Sequence, residues 1–117
     1  MEYKVTMGYI GGVLSDNSYK LPTRGTKPFV SMWMRELAEK VRVLAIPERT
    51  EYIIKIDGRF ADERRPDISN LHKVVGDSLK KGIGVDDKWF RYQDGTVKLG
   101  FLNNPQLDIT IEIKDVE

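Results

Sequence analysis

The chain has 117 residues, 40% hydrophobic and 32% charged, with a formal net charge of +1. That length suits one domain over residues 1–117; its apolar content supports a core, and no run reaches the roughly 20 residues of a membrane span. With no cysteine and only His72, disulfides, thiol chemistry and thiolate zinc sites are excluded, and a His-rich metal site or a Ser-His-Asp triad has too little to work with.

Residues 2–10 alternate, with Tyr3, Val5, Met7 and Tyr9 on one side, and read as a strand. Residues 15–28 are polar, hold Pro22, Gly25 and Pro28, and read as a long loop with Lys20, Arg24 and Lys27 in it. Ser31 is the expected N-cap of a first helix whose apolar stripe runs through Met34, Leu37, Ala38, Val41, Leu44 and Ala45 to a stop at Pro47. That helix carries no chemistry in this reading. Residues 50–57 form a second strand with Tyr52, Ile54 and Ile56 on one side, followed by a charged loop over 58–66. A second helix is expected from Asp67 to Lys81, with Ile68, Leu71, Val75 and Leu79 inward and Gly82 and Gly84 ending it. Residues 88–101 are extended around an Asp94-Gly95 turn signal, and 107–113 alternate cleanly. The order implies an α+β fold, a four- or five-stranded mixed sheet with two helices on one face. The N-terminus lacks a basic region followed by an apolar run, so no signal peptide is expected and the location is expected to be cytoplasmic.

Charge is uneven. Residues 59–91 carry eight basic and six acidic side chains, whereas residues 92–117 carry two and five. No whole-molecule basic footprint exists; a local basic face among acids in the middle of the chain is one reading, and a solvated, salt-bridged surface is the other. On the second helix, at about 100° per residue, Asn70, Lys73 and Asp77 share a sector and Ser69 lies one turn before Lys73. Asp67 stands at the helix start, and Asp86-Asp87 follow past the glycine turn, with one of that pair expected to face the helix start. Magnesium is held by oxygen ligands, one or two of them carboxylates. Asp67 with Asp86 or Asp87 supplies such a set, and Lys73 is placed for a phosphate oxygen. Metal-assisted phosphodiester hydrolysis needs that combination and no histidine or cysteine. The same residues also read as a cap, turn acids and a solvated lysine, and His72 as a boundary core residue.

The run RRPDISNLHKVVGDSLKKGIGVDDKWF, from Arg64 to Phe90, resembles the signature of the RusA family of Holliday-junction resolvases. The shared features are basic residues before an acid, Asn-Leu with a lysine three residues after the Asn, Asp-x-Leu, and an Asp-Asp pair past a glycine turn. The resemblance implies a small α+β homodimer that makes paired, magnesium-dependent nicks in four-way DNA junctions, in recombination and repair. Manganese is an alternative ion. It implies that Asp67 and Asp87 are catalytic acids and metal ligands with Asp86 beside them, that Lys73 is the essential lysine, and that Asn70 and Asp77 match the pattern. Ser69 departs from it, because the family commonly has an acid there. Either Asp67 and Asp87 suffice, or Asp77 compensates, or cleavage is lost and the fold serves as a non-catalytic branched-DNA-binding module. Under this resemblance Arg24, Lys27, Arg64, Arg65, Lys73, Lys80 and Lys81 form a basic DNA-binding face, doubled in the dimer. A plain α+β domain with solubilising charges is the third reading. The residues leave the dimer interface undetermined; the exposed faces of the final strands, with Trp89, Phe90 and Phe101 nearby, are candidates.

Overall fold

The computed structural model describes residues 1–15 and 27–113. Its elements are strand β1 (Glu2–Gly8), helix α1 (Pro28–Val43), strand β2 (Tyr52–Arg59), helix α2 (His72–Leu79), strand β3 (Phe90–Lys98) and strand β4 (Gln106–Ile113). Short 3-10 turns occupy Gly12–Leu14, Ile68–Leu71 and Asp87–Trp89, and a π turn continues α2 over Lys80–Gly84. The sheet has four strands in the order β1-β4-β2-β3. β4 runs antiparallel to β1 and β2, and β2 runs parallel to β3.

That parallel pair organises the molecule. Parallel neighbours cannot be joined by a tight turn, so the chain must cross over between them. The crossover is residues 60–89, which hold α2 and almost the whole charged segment singled out above.

Alternation in the strands sorts the sheet into two faces. Val5 and Met7, Tyr52, Ile54 and Ile56, and Leu107, Ile109, Ile111 and Ile113 are all buried. They form one cluster with Leu37 and Val41 of α1 and Val74, Val75 and Leu79 of α2. Each fully buried aliphatic side chain there stabilises the fold by about 1.5–3 kcal/mol. The Tyr52 ring is also inside, its hydroxyl donating to Pro47 O at 2.9 Å and accepting from Arg49 N–H at 2.6 Å. The sheet edge at β1 is tied to α1: Lys40 Nζ donates to Thr6 O at 2.8 Å and Trp33 Nε1 to Gly8 O at 2.7 Å.

Four expectations are corrected. The first helix begins a turn earlier than Ser31. Pro28 occupies its first turn, where a missing N–H costs nothing, and Ser31 N–H already donates to Lys27 O at 2.9 Å. The helix also stops before Pro47, at Leu44, where the chain turns through Ala45 at φ 51°. Asp94-Gly95 is not a hairpin turn; β3 runs through it. The register between β2 and β3 shifts there, and Asp57 Oδ1 accepts from Thr96 N–H at 2.7 Å and Thr96 Oγ1 at 3.0 Å. A Cβ at Gly95 would stand 2.1 Å from that Oδ1, so glycine marks the irregularity rather than a turn. Last, Phe90 is buried edge-on against Tyr52 at 5.7 Å, which removes it from the candidate dimer-interface residues.

Candidate active site

The expected second helix is three segments, and their joints set the site. Pro66 biases Arg65 to an extended conformation. Asp67 is extended (φ −69°, ψ 140°), and its carbonyl accepts Asn70 N–H at 3.0 Å to close the 3-10 turn. Its carboxylate caps nothing. Ile68 and Leu71 are buried and anchor the turn, which leaves Ser69 and Asn70 outside. A 3-10 turn advances about 120° per residue rather than about 100°, so the phase changes before α2 begins. Ser69, Lys73 and Asp77 then line one cleft and Asn70 does not, although a single α-helix would have grouped Asn70 with them.

The cleft measures about 270 Å³ and is lined by Ser69, His72, Lys73, Asp77, Asp87 and Tyr92. Tyr92 comes from β3, in register with Ile54, and its hydroxyl lies against Gly76 of α2. A Cβ at Gly76 would be 2.1 Å from that oxygen. The His72 ring stacks on Tyr92 at 4.5 Å with an 11° interplanar angle, and His72 Nε2 is 2.8 Å from Asp94 Oδ1. His72 is therefore more than a boundary core residue. It forms one wall of the cleft and is fixed from β3.

Past the π turn, Gly84 takes a left-handed φ of 85° and Val85 is buried, which turns the acid pair back toward α2. The two acids take different roles, although their side chains are within hydrogen-bonding reach of each other. Asp86 caps the Asp87–Trp89 turn, its Oδ1 accepting Lys88 N–H at 2.9 Å. That backbone hydrogen bond holds its carboxyl below the usual range, and the charges of Lys88 and Lys80 act in the same direction. Asp87 is exposed and faces the cleft.

Of the residues expected to act together, Ser69, Lys73, Asp77 and Asp87 meet in this cleft. Asp67 is not among its lining. It projects from the turn with its side chain 82% exposed, 3.9 Å from Arg65 Nη1. The expected basic face is dispersed. Arg64 is clamped to Asp62 (Nη2 to Oδ2 2.8 Å), and the Arg64 guanidinium holds the Asp62 carboxyl below its usual range. Arg64 and Arg65 border an apolar hollow beneath Tyr9 and Phe60. Lys80 is exposed near Asp86, and Lys81 lines a groove against α1. Lys27 precedes α1 and lines none of these hollows; Arg24 lies outside the described residues. Tyr92 and Asp94 had no local signal, because only the parallel β2–β3 register brings them to α2.

Among the described residues, no group of three or more His, Cys, Asp or Glu side chains is close enough to cage a metal ion. The cleft does offer the carboxylates of Asp77 and Asp87 and the Ser69 hydroxyl, all hard oxygen donors open to water. That set suits magnesium or manganese, which keep much of their water shell, and does not suit a buried zinc centre.

The RusA endodeoxyribonuclease family model matches residues 23–112 of the 117. No curated protein matches the chain. Among the described residues no helix is long and apolar enough to cross a membrane.

Proposed function

Because this chain belongs to the RusA endodeoxyribonuclease family, we propose that it cuts four-way DNA junctions by metal-dependent hydrolysis of phosphodiesters, in recombination and repair. The observation that carries the proposal is the meeting of Lys73 with Asp77 and Asp87 in one open cleft. Asp87 and Asp77 would hold the ion, with Ser69 as a neutral donor and Asp67, at the start of the same turn, as the further carboxylate the family pattern uses. A bound magnesium or manganese ion supplies an activated water and polarises the phosphate.

In the reaction a water oxygen bonds to phosphorus, the bond from phosphorus to a deoxyribose oxygen breaks, and that oxygen takes up a proton. Charge accumulates on the non-bridging oxygens at the midpoint. Lys73 is positioned to stabilise it from a preorganised helix rather than from a mobile loop. The His72–Tyr92 stack walls the cleft and fixes the side from which a phosphate enters. Catalysis by symmetric paired nicks requires two such clefts, so the active species is a homodimer whose two-fold axis matches that of the junction.

Ser69 favours a second reading, a branched-DNA-binding module that no longer cuts, since a hydroxyl binds a hard cation more weakly than a carboxylate. Incubating the protein with a labelled four-way junction and a matched linear duplex, with and without magnesium, separates the two. Paired nicks confined to the junction and dependent on the metal are expected. Binding without cleavage in either ion would establish the second reading, and no binding at low salt would sink both. Within the first reading, Asp67→Asn should abolish cleavage while junction binding persists; retained cleavage would remove Asp67 from the site.

A further inference from the structure

The groove between α1 and the π turn carries a charge pattern that the amphipathic reading of α1 passes over. Arg35 and Arg42 lie two turns apart on α1, about 10 Å along its axis, and Lys81 reaches the same groove from the π turn. The groove measures about 310 Å³. Its three cations face one carboxylate, Glu39, which pairs with Arg42. Among the described residues neither Arg35 nor Lys81 forms an ion pair.

The juxtaposition is built in. Gly82 lets the π turn close on α1: a Cβ there would stand 2.8 Å from Ala38 O and 3.0 Å from Val41 Cβ. Any larger residue would push Lys81 off the groove. Lys80, one residue earlier, is within electrostatic reach of Asp86, the neighbour of the cleft residue Asp87. The π turn, which continues α2 from the cleft residues Lys73 and Asp77, therefore brings a cation to α1.

A row of cations about 10 Å long suits a polyanion rather than a single phosphate. One strand of duplex carries a charge every 3.4 Å or so along its axis, so the row spans about three phosphates. We infer that this groove holds the phosphodiester backbone of a second arm of the branched DNA whose cut strand lies at the Lys73 cleft. The inference rests on the nuclease reading and adds to it an anchoring point that a linear duplex seated at the cleft does not need.

The test is metal-free binding of a four-way junction and a linear duplex across a salt series, comparing the native chain with Arg35→Gln/Arg42→Gln. Both side chains are exposed on α1, so an unchanged melting temperature is the folding control. The double variant should bind the junction about 10-fold more weakly, and its slope of log K against log salt should fall by about 0.9 for each phosphate that the protein no longer neutralises. The duplex should be affected less. Arg35→Lys/Arg42→Lys should keep most of the slope, because a point charge satisfies a phosphate. Unchanged junction affinity and slope, with the native chain binding normally, would overturn this inference and leave the nuclease reading intact. Equal weakening on junction and duplex would overturn the second-arm assignment. Failure of the native chain to bind any DNA would overturn both.

Discussion

Carboxylates on the two faces of the sheet lead different lives. On the open face, Asp108 accepts from Arg59 Nε and Nη2, both at 3.0 Å, and from Thr6 Oγ1 at 2.7 Å, while Asp57 is occupied by Thr96. On the helix side, Asp87 extends into the cleft from a turn whose capping is done by its neighbour Asp86. The first pair is held by partners that complete its bonding. Asp87 is exposed and lines the cleft, with the Asp86 side chain within hydrogen-bonding reach of it. Identical residue types thus serve architecture or chemistry according to what finishes their coordination, and substitutions on the two faces should separate stability from activity.

The largest separation is expected at Lys73. Lys73→Ala should lower cleavage about 100- to 1,000-fold, the usual loss when a preorganised charge-stabilising group is removed. Stability should change by no more than about 0.5 kcal/mol, since the side chain is on the surface of α2. Single-turnover cleavage of a junction alongside thermal melting checks both. A large drop in melting temperature would make Lys73 a structural residue and collapse the contrast.

Gly76 tests whether the two sides meet at the cleft wall. Gly76→Ala gains up to about 1 kcal/mol of helix propensity, but overpacking against Tyr92 costs about 1–3 kcal/mol. The Tyr92 ring is pinned by the His72 stack, so the penalty should win and cleavage should fall with stability. Adding Tyr92→Phe removes the colliding oxygen and should restore most of the loss. Additive effects in that double variant would show that the contact is not the cause.

Asp108 supplies the opposite case. Asp108→Asn should cost about 1–2 kcal/mol while sparing cleavage. Burial alone would push the Asp108 carboxyl up, yet the bonds from Thr6 and Arg59 hold it below its usual range. A depressed folded pKa gives stability that is full above the unfolded value of about 3.9 and is lost as pH falls through the folded one. The gap between native and Asp108→Asn should therefore be constant from about pH 5 to 8 and close below about pH 4. Urea melts at several pH values would show it; a gap that persists in acid would mean the charge is not what Arg59 recognises.

How much of this the residues announced follows from what is local. Alternation identified the strands and their buried sides, since period-two burial is written into each segment. The cleft residues Lys73, Asp77 and Asp87 were legible because helix spacing and a glycine turn bring near neighbours together. What failed depended on partners far along the chain. Asp94-Gly95 carries hairpin chemistry but sits in a through-running strand, because Asp57 of β2 occupies the space beside it. The Tyr92–His72 wall exists only through the parallel register of β3 on β2. Arg35 and Arg42 were passed over for a third reason: an amphipathic helix always has a charged side, and nothing in α1 itself says that Lys81 will come to meet it.

The smallest effect, and the most pointed, belongs to Ser69. It lines the cleft with Asp77 and Asp87, so Ser69→Asp would add a third carboxylate to a cleft whose own lining has two carboxylates and a hydroxyl. Without metal that third charge repels the others and should lower stability slightly. With metal it becomes a ligand, so magnesium should raise the melting temperature of the variant more than that of the native chain, by the binding linkage. Cleavage should rise a few-fold at limiting magnesium and converge with the native rate at saturation. If magnesium shifts both melting temperatures equally and the rates never differ, the ion sits away from position 69, and the cleft carboxylates hold it from their other side.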